Sequence, residues 1–377
     1  MAATPIVEYS PRGSSGRGFG EERAALDTML IALVNSRGSD LHLTVGAPPT
    51  IRVNGALHYL GGYDELDQHD TEVLVRAAVP SPEHWDQFER EQELDFSYSI
   101  EGISRFRVNL YAQRGSYGAA FRAIPHTIKG LEELGAPASV AKFAHMHRGL
   151  VLVTGPTGSG KTTTLAAILD LANRTRSSHI ITIEDPIEFL HEHKRCLVNQ
   201  REVGADTHSF AAALKHALRQ DPDIILVGEL RDLETTSTAL TAAETGHLVL
   251  ATLHTQSAAQ TVDRVIDIFP PHQQQQVRAQ LSTALRGVVT QALAPRADGT
   301  GRTIITEIMF ATPAIRNLIR EGKNHQIPSF MQSSGAEGML SFDQHLADRV
   351  RNHILTFEQA LEICHSADEF TRLAGRL

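Results

Sequence analysis

The sequence predicts an α/β chain in two parts, a small α+β domain followed by a larger domain built on a mostly parallel sheet. Three observations carry this. Over about the first 125 residues, short strand-like runs surround Gly/Pro turns and include a hairpin pattern. From Leu150 onward, apolar strand-like runs alternate with stretches of helical spacing. At the head of that second block, Leu150-Val151-Leu152-Val153 leads into the Gly-rich stretch Gly155-Pro156-Thr157-Gly158-Ser159-Gly160-Lys161-Thr162.

Each element follows in order. Residues 1–20 contain Ser10-Pro11-Arg12-Gly13-Ser14-Ser15-Gly16 and no continuous apolar core, so they read as a flexible tail rather than a secretion signal. Leu26, Met29, Leu30 and Leu33 predict a helix over 21–36, with Gly38 placed to stop it. Asp40 to Val45 and Thr50 to Val53 read as strands, Asp95 to Ile100 with Arg105 to Tyr111 as a hairpin, and Tyr117 to Ile124 as a further strand. These elements define a domain over 21–126. Residues 127–148 read as a linker with one or two short helices. The remaining domain, 149–377, has strands near Leu150 to Val153, Ile180 to Ile183, Ile224 to Val227, Leu248 to Leu253 and Thr303 to Met309. Gln273 to Gln276 fall in a helical pattern that carries Val277, Leu281, Leu285 and Val288, which predicts a solvated helix face.

Composition narrows the function classes. The 377 residues suffice for two cores, and 41% hydrophobic with 21% charged side chains is ordinary for a globular chain. No run of about 18 apolar residues is present to cross a bilayer, so a cytoplasmic location is expected. Cys196 and Cys364 are too few for a four-cysteine zinc site. A net charge of −9 disfavours a broad grip on nucleic acid.

The Gly-rich stretch fits the phosphate-loop pattern at every fixed position, and Leu165, Ile168, Leu169 and Ala172 continue it as an amphipathic helix. Glycines there let successive N–H groups turn toward phosphate oxygens, Lys161 adds a mobile positive charge, and the Thr162 hydroxyl is suited to Mg²⁺. ATP and Mg²⁺ are therefore the expected ligands, held by residues Gly155 through Thr163. Parallel strands deliver ligand-binding groups at their carboxyl ends. Glu229 follows the strand at Ile224 to Val227 and is the expected general base, the alternative being a structural ion pair with Arg231. Asp223 precedes the same strand, and six residues at about 3.3 Å each put it roughly 20 Å from Glu229. Glu184 either manages Mg²⁺, directly or through water, or anchors a neighbouring loop. His254 ends its strand and either faces the γ-phosphate or is a satisfied core or interface histidine, whereas His247 belongs at the opposite end. Arg105, Arg107, Arg114 and Arg122 cluster on predicted strands of the first domain. They are either a solvated face or the cations that phosphoryl transfer needs.

Several segments together resemble the type II/type IV secretion ATPase superfamily. Ile183-Glu184-Asp185-Pro186-Ile187-Glu188-Phe189 resembles its acidic box, Asp221 to Asp232 its atypical Walker B segment, and Thr245 to Thr255 its histidine box. Ser39 to Leu43 and Arg105 to Asn109 resemble its PAS-like segment. The resemblance implies a RecA-like P-loop motor domain preceded by a PAS-like domain, with Arg107 and Arg122, and further Arg114, completing a neighbour's active site. Ala314-Ile315-Arg316-Asn317-Leu318-Ile319-Arg320-Glu321 resembles the signature of the type IV pilus retraction ATPases, the PilT group. The lack of a four-cysteine insertion and of length for a further amino-terminal domain points the same way. The resemblance spans residues 22 to 350. It implies a homo-hexameric ATPase at the inner face of the cytoplasmic membrane, acting on a membrane platform protein of the pilus machinery and not on nucleic acid. Rival readings are an assembly or secretion motor and a regulatory nucleotide switch.

Overall fold

In the computed structural model, residues 19–124 and 127–375 are described, so all but the end of the expected tail lies outside them. The chain divides into two compact units, one ending at residue 126 and the other beginning at Thr127.

The first unit runs α1 (Phe19–Asn35), β1 (Asp40–Leu43), β2 (Thr50–Val53), β3 (Ala56–Tyr59), α2 (Gln68–Ala78), α3 (Pro82–Glu91), β4 (Glu93–Ile100), β5 (Ser104–Gln113) and β6 (Ser116–Ile124). Its strands form an antiparallel sheet in the order β3-β2-β1-β6-β5-β4. Alternation decides which face is covered: Phe106, Val108, Leu110, Phe121 and Leu41 are buried with Leu26, Leu30 and Leu33 of α1. Residues 68–91, silent in the sequence reading, supply α2 and α3. Asp67 opens α2 with a reciprocal capping box to Asp70, and Pro82 opens α3 at its first turn.

The second unit continues with β7 (Gly149–Thr154), α4 (Lys161–Thr175), β8 (His179–Glu184), β9 (Leu197–Glu202), α5 (Phe210–Ala217), β10 (Ile224–Val227), α6 (Leu233–Glu244) and β11 (Leu248–Leu253). It ends with α7 (Ala258–Asp267), α8 (Pro271–Ala284), β12 (Leu285–Pro295), β13 (Arg302–Phe310), α9 (Pro313–Glu321), α10 (Ile327–Ser333), α11 (Phe342–Arg351), α12 (Phe357–Leu361) and α13 (Ala367–Leu373). The sheet order is β13-β12-β7-β11-β10-β8-β9, parallel except for β13 against β12. Helices cover both faces, which is why β7, β10 and β11 are buried at every residue.

Two segments differ from the sequence reading. The helical pattern through Val277, Leu281, Leu285 and Val288 breaks at Ala284, and Leu285 to Pro295 form β12. There Val288, Val289 and Thr290 are β-branched and lie between two strands, which favours extended backbone whatever the spacing suggests. A glycine is required at Gly287, where a Cβ would lie 2.5 Å from the Phe143 ring and 2.6 Å from the Met309 carbonyl oxygen. The stretch read as a linker contains a 3₁₀ helix, Ala138–His145, whose Val140, Phe143 and Ala144 are fully buried in the core of the second unit. Phe143 stacks on Phe310 of β13 with ring centroids 4.9 Å apart.

Candidate active site

The phosphate loop leaves the end of β7, between β12 and β11. Gly155 has φ +139°, and a Cβ there would lie 2.2 Å from the Gln291 carbonyl oxygen of β12. No residue other than glycine fits that approach. Gly160, at φ +87°, is the N-cap of α4 and has no side chain to offer the first turn. The N–H groups that begin α4 therefore lack a capping side chain, the arrangement that binds phosphate oxygens. Ser159 Oγ is buried within the loop without a hydrogen-bond partner. An orphaned donor at the loop's bend and an uncapped helix start both fit a phosphate chain.

Lys161 folds back over the loop, its Nζ donating to the carbonyl oxygens of Gly155 at 2.9 Å and Pro156 at 3.1 Å. Burial holds its ammonium below the ordinary range, against the opposing pull of Glu229 and then Glu188. Its Nζ also lies 3.5 Å from His254 Nδ1. His254 Nε2 in turn is 3.1 Å from Glu229 Oε1, and Arg231 Nε donates to Glu229 Oε2 at 2.7 Å. Lys161, His254, Glu229 and Arg231 thus form one chain of polar contacts across the ends of three strands. The ends are themselves laced together: Gly228 N–H donates to Ile183 O at 2.8 Å, and Thr252 Oγ1 donates to Gly228 O at 2.5 Å.

Glu184 ends β8 and is buried, accepting from Thr182 Oγ1 at 2.5 Å and from Gln200 Nε2 of β9 at 3.1 Å. Burial pushes its carboxyl above the ordinary range, and the hydrogen bonds from Thr182 and Gln200 oppose that. Both partners are strand residues, so the contacts tie β8 to β9, where Gln200 Nε2 also donates to Phe189 O at 2.8 Å. Asp223 and His247 sit at the other end of the sheet, the former accepting from His179 N–H at 2.8 Å and the latter's Nδ1 lying 3.0 Å from Ala242 O. Neither belongs to the strand-end cluster.

Arg107, Arg114 and Arg122, the three expected to act on a neighbour's site, do not form one group. Arg107 and Arg122 face each other across β5 and β6, both exposed, and Arg122 Nε pairs with Asp40 of β1 at 2.8 Å. Arg114 is at the tip of the β5–β6 hairpin with φ +50°. Six strand residues lie between it and Arg107, and the seven steps span roughly 23 Å at the usual rise.

Sequence reasoning missed Gln291 and the threonines around it. Gln291 Nε2 donates to Ser159 O at 2.7 Å from beneath the loop. Its only available signal is a polar pair, Thr290-Gln291, just beyond the helical spacing that ends at Val288.

Residues 129–362 match the protein family described as Type II/IV secretion system protein. The type IV pilus retractation ATPase PilT of Pseudomonas aeruginosa is 50% identical over 344 residues, 91% of this chain and 99% of that one. The twitching motility protein of Neisseria gonorrhoeae is 48% identical over 312 residues, 83% of each chain. The crystal structure of the pilus retraction motor PilT with bound ADP superimposes with a TM-score of 0.85 at 45% identity, covering 92% of this chain and 98% of that chain. At that coverage the likeness includes residues of both units. The chain belongs to the type II/IV secretion family and, within it, to the PilT group of pilus retraction ATPases.

Proposed function

We propose that this ATPase works as a Mg²⁺-dependent homo-hexameric ring that powers retraction of a type IV pilus, acting on a platform protein at the inner face of the cytoplasmic membrane and not on nucleic acid. The observation that carries the proposal is the contact chain from Lys161 through His254 to Glu229 above an uncapped phosphate loop. Among the described residues no helix is long and apolar enough to cross a membrane, which fits attachment through a partner.

In this reading Gly155 through Thr163 cradle the ATP phosphates, and Lys161 turns from the loop carbonyls to the β- and γ-phosphates. Bound Mg²⁺ would neutralise phosphate charge, and the Thr162 hydroxyl would hold it on the protein's side. Glu184 acts on the metal side only through the loop it anchors or through water. Glu229 takes the proton of the attacking water. Arg231 and His254 each engage one of its oxygens and leave further lone pairs free to receive that proton. His254 then turns toward the γ-phosphate. Arg107 and Arg122, with Arg114 as the third candidate, supply positive charge from the adjacent subunit, and closing that boundary couples hydrolysis to movement.

The test is Glu229→Gln in the full chain. ATP binding should persist while phosphate release falls by about 10²- to 10⁴-fold, the usual worth of a general base. Near-normal turnover would remove Glu229 from that role. A strain lacking the protein should carry more surface pili and lose twitching; a strain without pili would instead indicate an assembly motor.

A further inference from the structure

One residue of β12 touches both ends of the phosphate loop. The Gln291 carbonyl oxygen lies against Gly155, so close that a Cβ on Gly155 would sit 2.2 Å from it. The Gln291 side chain passes to the far end, where its Nε2 donates to Ser159 O at 2.7 Å. The same nitrogen is 3.2 Å from where a Cβ on Gly160 would stand, immediately before Lys161 opens α4. Gln291 is 1% exposed and Ser159 3%, so no water replaces this contact readily. Ser159 offers a carbonyl, which fixes the amide with its nitrogen toward the loop; Gln291 Oε1 is left buried and without a partner. A buried acceptor left unsatisfied is costly, and its retention marks a site where position outweighs stability.

The neighbouring residue begins a second tie. Thr290 Oγ1 is 2.9 Å from Thr154 Oγ1, at the end of β7. Thr261 Oγ1 on α7 donates to Ser257 O at 2.7 Å and so accepts within this chain, lying 3.5 Å from Thr154 Oγ1 and 2.7 Å from the Oγ1 of Thr255, directly after His254. Thr154 and Thr261 are fully buried and Thr290 is 2% exposed. These four hydroxyls run from the strand under the loop to the strand end that presents His254.

We propose that Gln291 is the positioning residue of the phosphate loop and that the threonine chain beginning at Thr290 holds the loop in register with His254. The proposal rests on reading Gly155 to Thr162 as the nucleotide site. Gln291 sets the span of the loop, and therefore how tightly it grips phosphate. Thr261, the middle of the chain, sets where the loop stands relative to His254, and therefore turnover of the bound nucleotide.

The experiment uses the full chain, a fluorescent ADP analogue and steady-state phosphate release, with thermal unfolding recorded for each variant. Gln291→Met keeps length and removes the donor; its Kd for the analogue, measured on folded protein, should rise about tenfold, the scale of one buried hydrogen bond. Gln291→Asn keeps the amide but cannot reach Ser159, so it should lose affinity similarly and carries the test if Gln291→Met does not fold. Thr261→Val should leave the Kd within about twofold and lower kcat about tenfold, and Thr261→Ser should restore kcat because the hydroxyl returns. Wild-type Kd in folded Gln291→Met or Gln291→Asn, or a kcat in Thr261→Val equal to wild type, would overturn the proposal. If the unaltered chain fails to bind the analogue, the reading of the loop itself is wrong, which is a separate failure.

Discussion

In the six-stranded sheet Arg107 and Arg122 project from one exposed face, whereas in the seven-stranded sheet the groups assigned to chemistry lie at or beyond strand ends. The cause is which surfaces each sheet leaves open. The first sheet covers one face with α1 and leaves Arg107 and Arg122 on the other, side by side across two strands. The second is covered on both faces, so β7, β10 and β11 are buried at every residue and the groups assigned to chemistry gather at strand ends. A face can press against another subunit; an edge of strand ends makes a cleft for a ligand. The division suits a site assembled from two chains.

Predictions that break or sharpen this contrast run from large to small. The double change Arg107→Ala with Arg122→Ala should lower turnover by at least about 10³-fold if these side chains act as transferred arginines. Binding of ADP to the phosphate loop should persist, and Arg114→Ala should have the lesser effect on turnover, since Arg114 lies at the hairpin tip away from the pair. Equal losses from all three would dissolve the distinction drawn within that sheet. Next, Phe143→Ala should destabilise the second unit by about 3 kcal/mol through loss of a buried ring and the cavity it leaves. Hydrogen exchange should locate that loss in peptides of the second unit and leave those of the first protected.

The smallest effect is one of pH. Burial, helped by Arg349, pushes the buried imidazole of His345 on α11 down to about 4, while its Nδ1 accepts from Thr306 N–H at 2.9 Å. Between about 6.5, its ordinary value, and about 4 the unfolded chain binds a proton that the folded chain does not. Stability of the second unit therefore falls as pH falls through that window, with the loss complete below it. Denaturant titrations at pH 7 and pH 5 should show the decline, and His345→Gln should make it shallower. An unchanged slope in the variant would assign the decline to other groups.

Much of this was legible in the chain, for reasons that differ by region. Gly155 to Lys161 are local: the loop's shape follows from glycines at fixed spacing, and β7 before it is a short apolar run. Glu229 and His254 were found because parallel strands place their ends together, and Asp223 was excluded by strand length alone. Gln291 was not found. Its contact with Ser159 joins residues 132 apart in sequence, and the strand that carries it shares its apolar spacing with the end of α8. Glu184 is intermediate, since its strand-end position follows from the sequence whereas its bond to Gln200 joins two strands across 16 residues of chain. The helices over 68–91 went unread because α3 is mostly polar, burying only Trp85 and Phe88.

The claim that the site is shared between subunits is tested most directly by mixing two inactive variants, Lys161→Ala and Arg107→Ala, and measuring phosphate release. If the arginine acts across a boundary, a random equal mixture rebuilds about a quarter of the sites, because intact loops meet intact arginines by chance. Turnover should then rise well above that of either variant alone. Mixed rings that assemble normally and show no recovery would contradict the account.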